Sequence, residues 1–590
     1  VARAICSLLA APLILAAAGK STVAVYDLEG PLSESGAAGT SFFSMDFESA
    51  RPLTFFDVAL SLDKAARDSE VAAIVLEADD AALTLAQTEE IRRHLLAARE
   101  NGKDVRLYSD HYTNKTALLG SAASHFALMP EAGVSFTGLS AESMYFKGLL
   151  DKAGIAADVI HIGDFKSFGE EFYRTGPSEF SERQTETLIG GLFEQLVDHI
   201  ADGRGIERDT VTDLIDRGHF TAAEAREAGL VDELKSRTDF NTGLRETYAE
   251  ADFDRGYELP DLDGPQMKGL LDVFKLMLNS GKSAADREPY VAVVALEGAI
   301  TEASIAPIRR EIVALLRDEH AAALVLRVDS PGGSALASEV LWEITDQWSQ
   351  AGRPFAVSMG GVAASGGYYV SAGADRIFAE AGTITGSIGV VGMKFVMADA
   401  MDKLGITTHR TQRGEHADLM SVTKPFSDEE SELVRDSMRE VYATFKRRIV
   451  DGRGDRLEGD LEPLAGGRVY TGGRAHGLGL VDEIGGLAEA VAWAAAEADL
   501  ESPHARLRPE PKSALEGMFS TPEKDPDDEL VRTTPAVRPA AATLRALVRD
   551  VGIDQLPAPA RAAVRRALNR IHAVEDSAIQ LLGPDLQIRW

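Results

Sequence analysis

AALVLRVDS, Ala322 to Ser330, is a nearly continuous apolar run that ends on Asp329 and Ser330 and passes at once into Pro331-Gly332-Gly333. A short run with no polar alternation suits a strand buried on both faces, as in the parallel sheets of α/β proteins. It is followed by the helix-like ALASEVLWEITDQWSQAGR, Ala335 to Arg353, which closes at Gly352. PFAVSM, Pro354 to Met359, then reads as a second strand, with a new helix beginning near Ala363. Strand, helix, strand in this order calls for right-handed parallel crossovers, so the fold class is α/β.

The same succession occurs earlier in the chain. VAAIVLEAD at Val71 to Asp79 leads into LAQTEEIRRHLLAARENGK from Leu85, then into DVRLYS from Asp104 and a helix near Thr113. VAVYDLEG at Val23 returns as VAVVALEG at Val291, DKAGI at Asp151 as DKLGI at Asp402, DGRG at Asp202 as DGRG at Asp451, and GLVDEL at Gly229 as GLVDEI at Gly479. From Ala72 against Ala322 onward the offset holds near 250. Order and spacing of whole blocks agree, so the chain contains two tandem α/β repeats. We expect a signal or anchor segment at 1–20, a first repeat at 21–251, a linker at 252–288, a second repeat at 289–490 and a C-terminal tail at 491–590.

Overlaying the copies locates the chemistry. Ser365, in GGVAASGGYYV, falls opposite Lys115, and Ser330-Pro331-Gly332-Gly333 falls opposite Asp80-Ala81-Ala82-Leu83. The first copy thus has neither a serine in that place nor a glycine loop. In the other direction, Lys166 in GDFKSFGE falls opposite Ala417. Each copy lacks what the other keeps, which points to one site assembled from both.

Composition narrows the partners. The 590 residues carry a formal charge of -32, which argues against a nucleic-acid partner, since such proteins concentrate Lys and Arg on the contact face. The single cysteine, Cys6, excludes an intrachain disulfide framework and a cysteine zinc cluster. Arg3 precedes the apolar run AICSLLAAPLILAAAG, which has the length of a signal-peptide core and an Ala-x-Ala ending at Ala18. It is short for a membrane span of ~20 residues. A cleaved signal and a retained anchor both fit. In the linker, Leu270, Leu271, Phe274 and Leu278 recur at helical spacing, and the Arg- and Ala-rich tail suits one or two helices.

A serine hydroxyl needs a base and a stabilised oxyanion to act as a nucleophile. Ser365 stands among Ala363, Ala364, Gly366 and Gly367, at a strand-to-helix entry that aims the Gly366 N–H toward a developing oxyanion. VDSPGGSALASE, from Val328, supplies a second glycine loop at the end of a buried strand, where ligands collect in parallel sheets. No histidine stands in a motif resembling a triad member. A lysine serves as base only when neutral, so burial must lower its pKa from ~10.4 toward roughly 7–8. Phe165 and Phe168 offer Lys166 apolar cover, provided that Asp164, Glu170 and Glu171 point elsewhere.

SPGGS, MGGVAASGGYYVSAGAD, TITGSIGVVG and TGGRAHGLGLVDEIGG, together with GDFKSFGEEFYRT in the first half, resemble bacterial signal peptide peptidase A in its long, tandem-repeat form. That family of serine peptidases shares the Clp protease and crotonase fold, and the likeness runs from about Ser21 to Ile484. The resemblance implies a Ser/Lys dyad, with Ser365 as nucleophile, Lys166 as general base, Ser387 orienting the lysine, and Gly333 and Gly366 as oxyanion donors. It also implies a homotetramer on the bacterial inner membrane, its catalytic part facing the periplasm, that degrades remnant signal peptides without metal or cofactor. Two other readings remain open: a crotonase-type acyl-CoA enzyme and a non-catalytic oligomeric scaffold.

Overall fold

The computed structural model describes residues 21–36, 52–79, 81–260, 288–511, 579–582 and 587–589. The expected N-terminal anchor, most of the linker and the tail from 512 to 578 lie outside the described residues. Among the described residues no helix is long and apolar enough to cross a membrane.

Each copy folds around one sheet. In the first, the order is Glu233–Leu234, His125–Ser135, Asp104–Thr113, Val71–Glu77, Thr22–Asp27, Asp252–Asp254, all parallel, with His219–Thr221 antiparallel beside His125–Ser135. In the second, the path is Val469–Thr471, Ile384–Gly386, Phe355–Ala364, Ala321–Ser330, Tyr290–Glu297, Ala505–Arg508, with Arg376–Ala379 and Glu483–Ile484 branching from it. The topology repeats, with His125–Ser135 of the first sheet answered by the two strands Arg376–Ala379 and Ile384–Gly386 in the second. Even the long helices Glu179–Arg204 and Asp428–Arg453 match, at 26 residues each. The strands Asp252–Asp254 and Ala505–Arg508, which complete the two sheets, extend each body beyond Ala251 and Ala490.

The apolar runs behave as their lack of alternation requires: Leu324, Val325, Leu326 and Val328 are all fully buried, because helices cover both faces of the sheet. One face packs under Leu341, Trp348, Tyr368 and Phe445, and the other under Leu487, Val491, Ala494 and the first copy's Phe56. The two copies therefore share a core.

Polar contacts add to that junction. Arg327 is fully buried and grips Glu34 of the first copy with Nε at 3.0 Å and Nη2 at 3.1 Å, while its Nη1 lies 3.2 Å from Glu90. Arg93 pairs with Glu380 and Glu489. A third link matters most for the site. The first copy's strand Ala156–Ile162 leaves its own sheet and runs antiparallel along Val390–Val396 of the second, from Ala156 opposite Val396 to Ile162 opposite Val390. Lys166 follows four residues later.

Candidate active site

Ser365 stands between the strand Phe355–Ala364 and the helix Gly366–Ser371 with φ 55°, a left-handed conformation that costs a non-glycine residue about 1–3 kcal/mol. Its N–H donates to the Gly386 carbonyl at 2.8 Å, and its carbonyl receives the Tyr369 N–H at 2.8 Å. Those two bonds hold the turn in its strained form. Ser387, one residue after Gly386, is likewise at φ 54°.

The antiparallel strand from the first copy delivers Lys166 to this point. Its Nζ lies 2.7 Å from Ser365 Oγ, 2.8 Å from the Ser387 carbonyl oxygen and 3.0 Å from Ser387 Oγ. The loop that carries it is wedged against the second copy. The Phe165 N–H donates to the Gly466 carbonyl at 2.9 Å, and a Cβ on Gly467 would stand 2.3 Å from the Lys166 nitrogen. Gly467 is also at φ 86°, so glycine is required there twice over. The lysine stem passes Gly389, where a Cβ would meet Lys166 Cδ at 3.1 Å.

Lys166 is buried, and burial alone holds its amine well below the ordinary lysine range. The neighbouring carboxylates do not oppose this. Glu170 accepts the Ser178 N–H, Glu171 accepts the Gly169 N–H, and Asp164 is exposed. Among the described residues, none of the histidines bonds to Ser365, Lys166 or Ser387. Phe168 packs instead with Phe172, Val391 and Met393, while Phe165 stacks its ring under the Arg468 guanidinium at 3.9 Å.

The glycine loop meets the serine from the other side. A Cβ added to Gly366 would sit 3.2 Å from the Gly333 nitrogen, 3.1 Å from Gly332 Cα and 2.7 Å from Ser338 Oγ. The backbones of Gly333 and Gly366 thus approach each other beside Ser365. Gly333 is itself closed in, since a Cβ there would fall 2.0 Å from the Ile300 carbonyl oxygen. Ser330 Oγ accepts the Gly332 N–H at 3.1 Å, and Ser334 Oγ caps the following helix at the Ala337 N–H, so the loop is tied at both ends.

All five residues singled out in the sequence therefore lie together. Sequence reasoning did not find Gly386, Gly467 and Ile300, whose contribution is through backbone contacts. In the first copy, Lys115 fills the place of Ser365 and donates to the carbonyls of Asp79 and Ala81, at 2.9 and 2.6 Å, closing the loop that has lost its glycines. Ala417, opposite Lys166, is exposed in a turn.

Comparison with known proteins agrees with the tandem arrangement. The model of "Peptidase family S49" matches twice, at residues 97–250 and 347–501. The chain is 31% identical over 443 residues to "Serine protease SPPA, chloroplastic" of Arabidopsis thaliana, a match covering 74% of this chain and 64% of that protein. It is 29% identical over 487 residues to "Protease 4" of Salmonella typhi, covering 80% and 76%. "Protease 4" of Haemophilus influenzae is 29% identical over 457 residues, covering 75% and 72%.

Proposed function

The chain belongs to peptidase family S49, and on that footing we propose that it is a serine endopeptidase working through a Ser/Lys dyad. Ser365 is the nucleophile and Lys166 the general base, with Ser387 orienting the lysine. The observation that carries this reading is a buried lysine, free of counter-charge, with Nζ 2.7 Å from Ser365 Oγ. That separation is within the ~2.6–3.2 Å needed for direct proton transfer.

Neutral Lys166 takes the hydroxyl proton as Oγ adds to the scissile carbonyl. The N–H groups of Gly333 and Gly366 receive the oxyanion. Collapse of the tetrahedral intermediate breaks the C–N bond, and the lysine ammonium gives its proton to the departing amine. Water then attacks the acyl-enzyme, again losing its proton to Lys166, and Ser365 leaves with the proton restored. The Ser387 carbonyl and hydroxyl fix Nζ through the cycle and stabilise its transient charge.

In the same reading the substrates are remnant signal peptides, and the enzyme is a homotetramer held by its N-terminal segment at the bacterial inner membrane, facing the periplasm. These finer features rest on the resemblance to signal peptide peptidase A. The test of the chemistry is turnover of an internally quenched peptide by Ser365→Ala and Lys166→Ala. Both are expected to lose activity by at least about 10³-fold. Undiminished turnover by Lys166→Ala, or acyl-CoA turnover that survives in both variants, would sink the dyad.

A further inference from the structure

Gln184 lies in the second turn of the first copy's helix Glu179–Arg204 and is buried, with Oε1 accepting the Val469 N–H of the second copy at 2.9 Å. Leu188 and Leu192, one and two turns further along the same face, cluster with the Val469 side chain. Val469 ends a short strap, Gly466-Gly467-Arg468-Val469, that contacts both the lysine loop and the serine that holds Nζ. The Gly466 carbonyl accepts the Phe165 N–H, the Gly467 N–H donates to the Ile388 carbonyl at 2.8 Å, and the Arg468 carbonyl accepts the Ser387 N–H at 2.5 Å. The Arg468 guanidinium covers the Phe165 ring. Ser387 is thus held on one side by the strap, and on the other it presents its carbonyl and hydroxyl to Lys166 Nζ.

The two copies differ where this contact is made. Helices Glu179–Arg204 and Asp428–Arg453 follow serine caps at Ser178 and Ser427 and have equal length, so Gln184 corresponds to Leu433, which is 41% exposed and accepts no hydrogen bond through its side chain. The strand Val469–Thr471 corresponds to His219–Thr221, which places Asp216-Arg217-Gly218 opposite Gly466-Gly467-Arg468. The paired glycines, at φ 69° and 86°, therefore occur in the copy that has the serine, and the glutamine in the copy that has the lysine. Ser365 and Lys166 show the same complementary pattern. A buried backbone N–H needs an acceptor wherever a strand runs at an edge, and that alone would make Gln184 a structural residue. Here the residue before the anchored N–H bears the carbonyl that fixes Ser387.

Building on the peptidase reading, we propose that Gln184 is a positioning residue for the Ser/Lys reaction: it fixes the strap 466–469 through the Val469 N–H, and the strap fixes the loop and the Ser387 acceptors that aim Lys166 Nζ at Ser365 Oγ. Gln184 touches no reacting atom. Without its acceptor the strap is released at Val469, the Arg468 carbonyl moves off the Ser387 N–H, and the lysine amine loses its aim and gains contact with water. A misplacement of about 1 Å costs on the order of 10²-fold in rate. A base that regains water has its pKa moved back toward the ordinary lysine range.

The test compares two variants of the full chain on an internally quenched peptide: Gln184→Leu, which removes the acceptor, and Gln184→Glu, which keeps an oxygen at the same reach. Gln184→Leu is expected to lower kcat by about 10²-fold at nearly parental KM. Its acid limb of kcat/KM should move up by about one pH unit. Gln184→Glu should recover most of the parental kcat and the parental limb. Gln184→Met, apolar and of the same length, gives the same comparison if Gln184→Leu does not fold. A kcat within about twofold of the parent in the acceptor-free variant would overturn the proposal. So would a fall in kcat that leaves the acid limb in place and is not repaired by Gln184→Glu, because the glutamine would then only hold the edge of the sheet. Lys166→Ala, measured alongside, separates this from the chemistry. Its full loss of activity beside a parental Gln184→Leu sinks the positioning role alone, whereas turnover retained by Lys166→Ala sinks the dyad itself.

Discussion

At the scale of single residues, the site brings together a buried lysine and glycines kept bare. Burial disfavours the charge of Lys166 in the fold and lowers its pKa well below the ordinary lysine range, whereas the unfolded chain holds that proton up to ~10.4. Between the folded value and ~10.4 the unfolded state therefore binds more protons, and stability climbs with pH. Lys166→Met removes that slope. We expect it to melt above the parent at neutral pH, with the difference closing toward pH ~10, in calorimetry across the range. Gly333→Ala places a Cβ against the Ile300 carbonyl and pushes the oxyanion donor away. Steady-state kinetics should show kcat lower by about 10²–10³ with KM little changed, and an unchanged kcat would remove Gly333 from the oxyanion hole. Ser365 and Lys166 were legible because the repeats could be laid against each other. Gly467 was not, since its role is a close approach to a backbone 301 positions earlier in sequence.

At the scale of elements, the apolar runs, the glycine-terminated helices and their order were readable because buried parallel strands and their covering helices have distinct patterns. What could not be read was the departure of Ala156–Ile162 from its own copy. AADVIHI has nothing in its pattern that selects Val390–Val396 as a partner, and the choice is made by the three-dimensional fit of the two copies. Nor could IQLL of the tail be distinguished from any other short apolar stretch. The loop after the crossing strand sets where Nζ stands. Gly467→Ala would drive a Cβ into the Lys166 backbone and displace the amine from Ser365. An ångström of misplacement costs on the order of 10²-fold in rate. The expected result is that loss in kcat with the fold retained by circular dichroism.

At the scale of the molecule, two copies of one fold bring residues to a single cluster, and their junction is built from buried charge as well as apolar surface. Burial, helped by the nearby Glu380, pushes Glu89 up to about 8, where it faces the Gly382 N–H across the junction. A carboxyl raised on folding contributes stability that is complete below the ordinary value of ~4.3 and is lost as pH rises through about 8. Glu89→Gln is expected to reduce the alkaline loss of stability seen in denaturant titrations between pH 6 and 9. An alkaline loss as steep as the parent's would mean that Glu89 is already ionised in the fold. The central claim, that the first copy's lysine activates the second copy's serine, is tested most directly by the rate of Ser365 labelling with a serine-reactive phosphonate as a function of pH. In the parent the rate should rise with a midpoint well below ~10.4, and in Lys166→Ala labelling should vanish across neutral pH. Labelling of Lys166→Ala at the parental rate, with the same pH dependence, would contradict it.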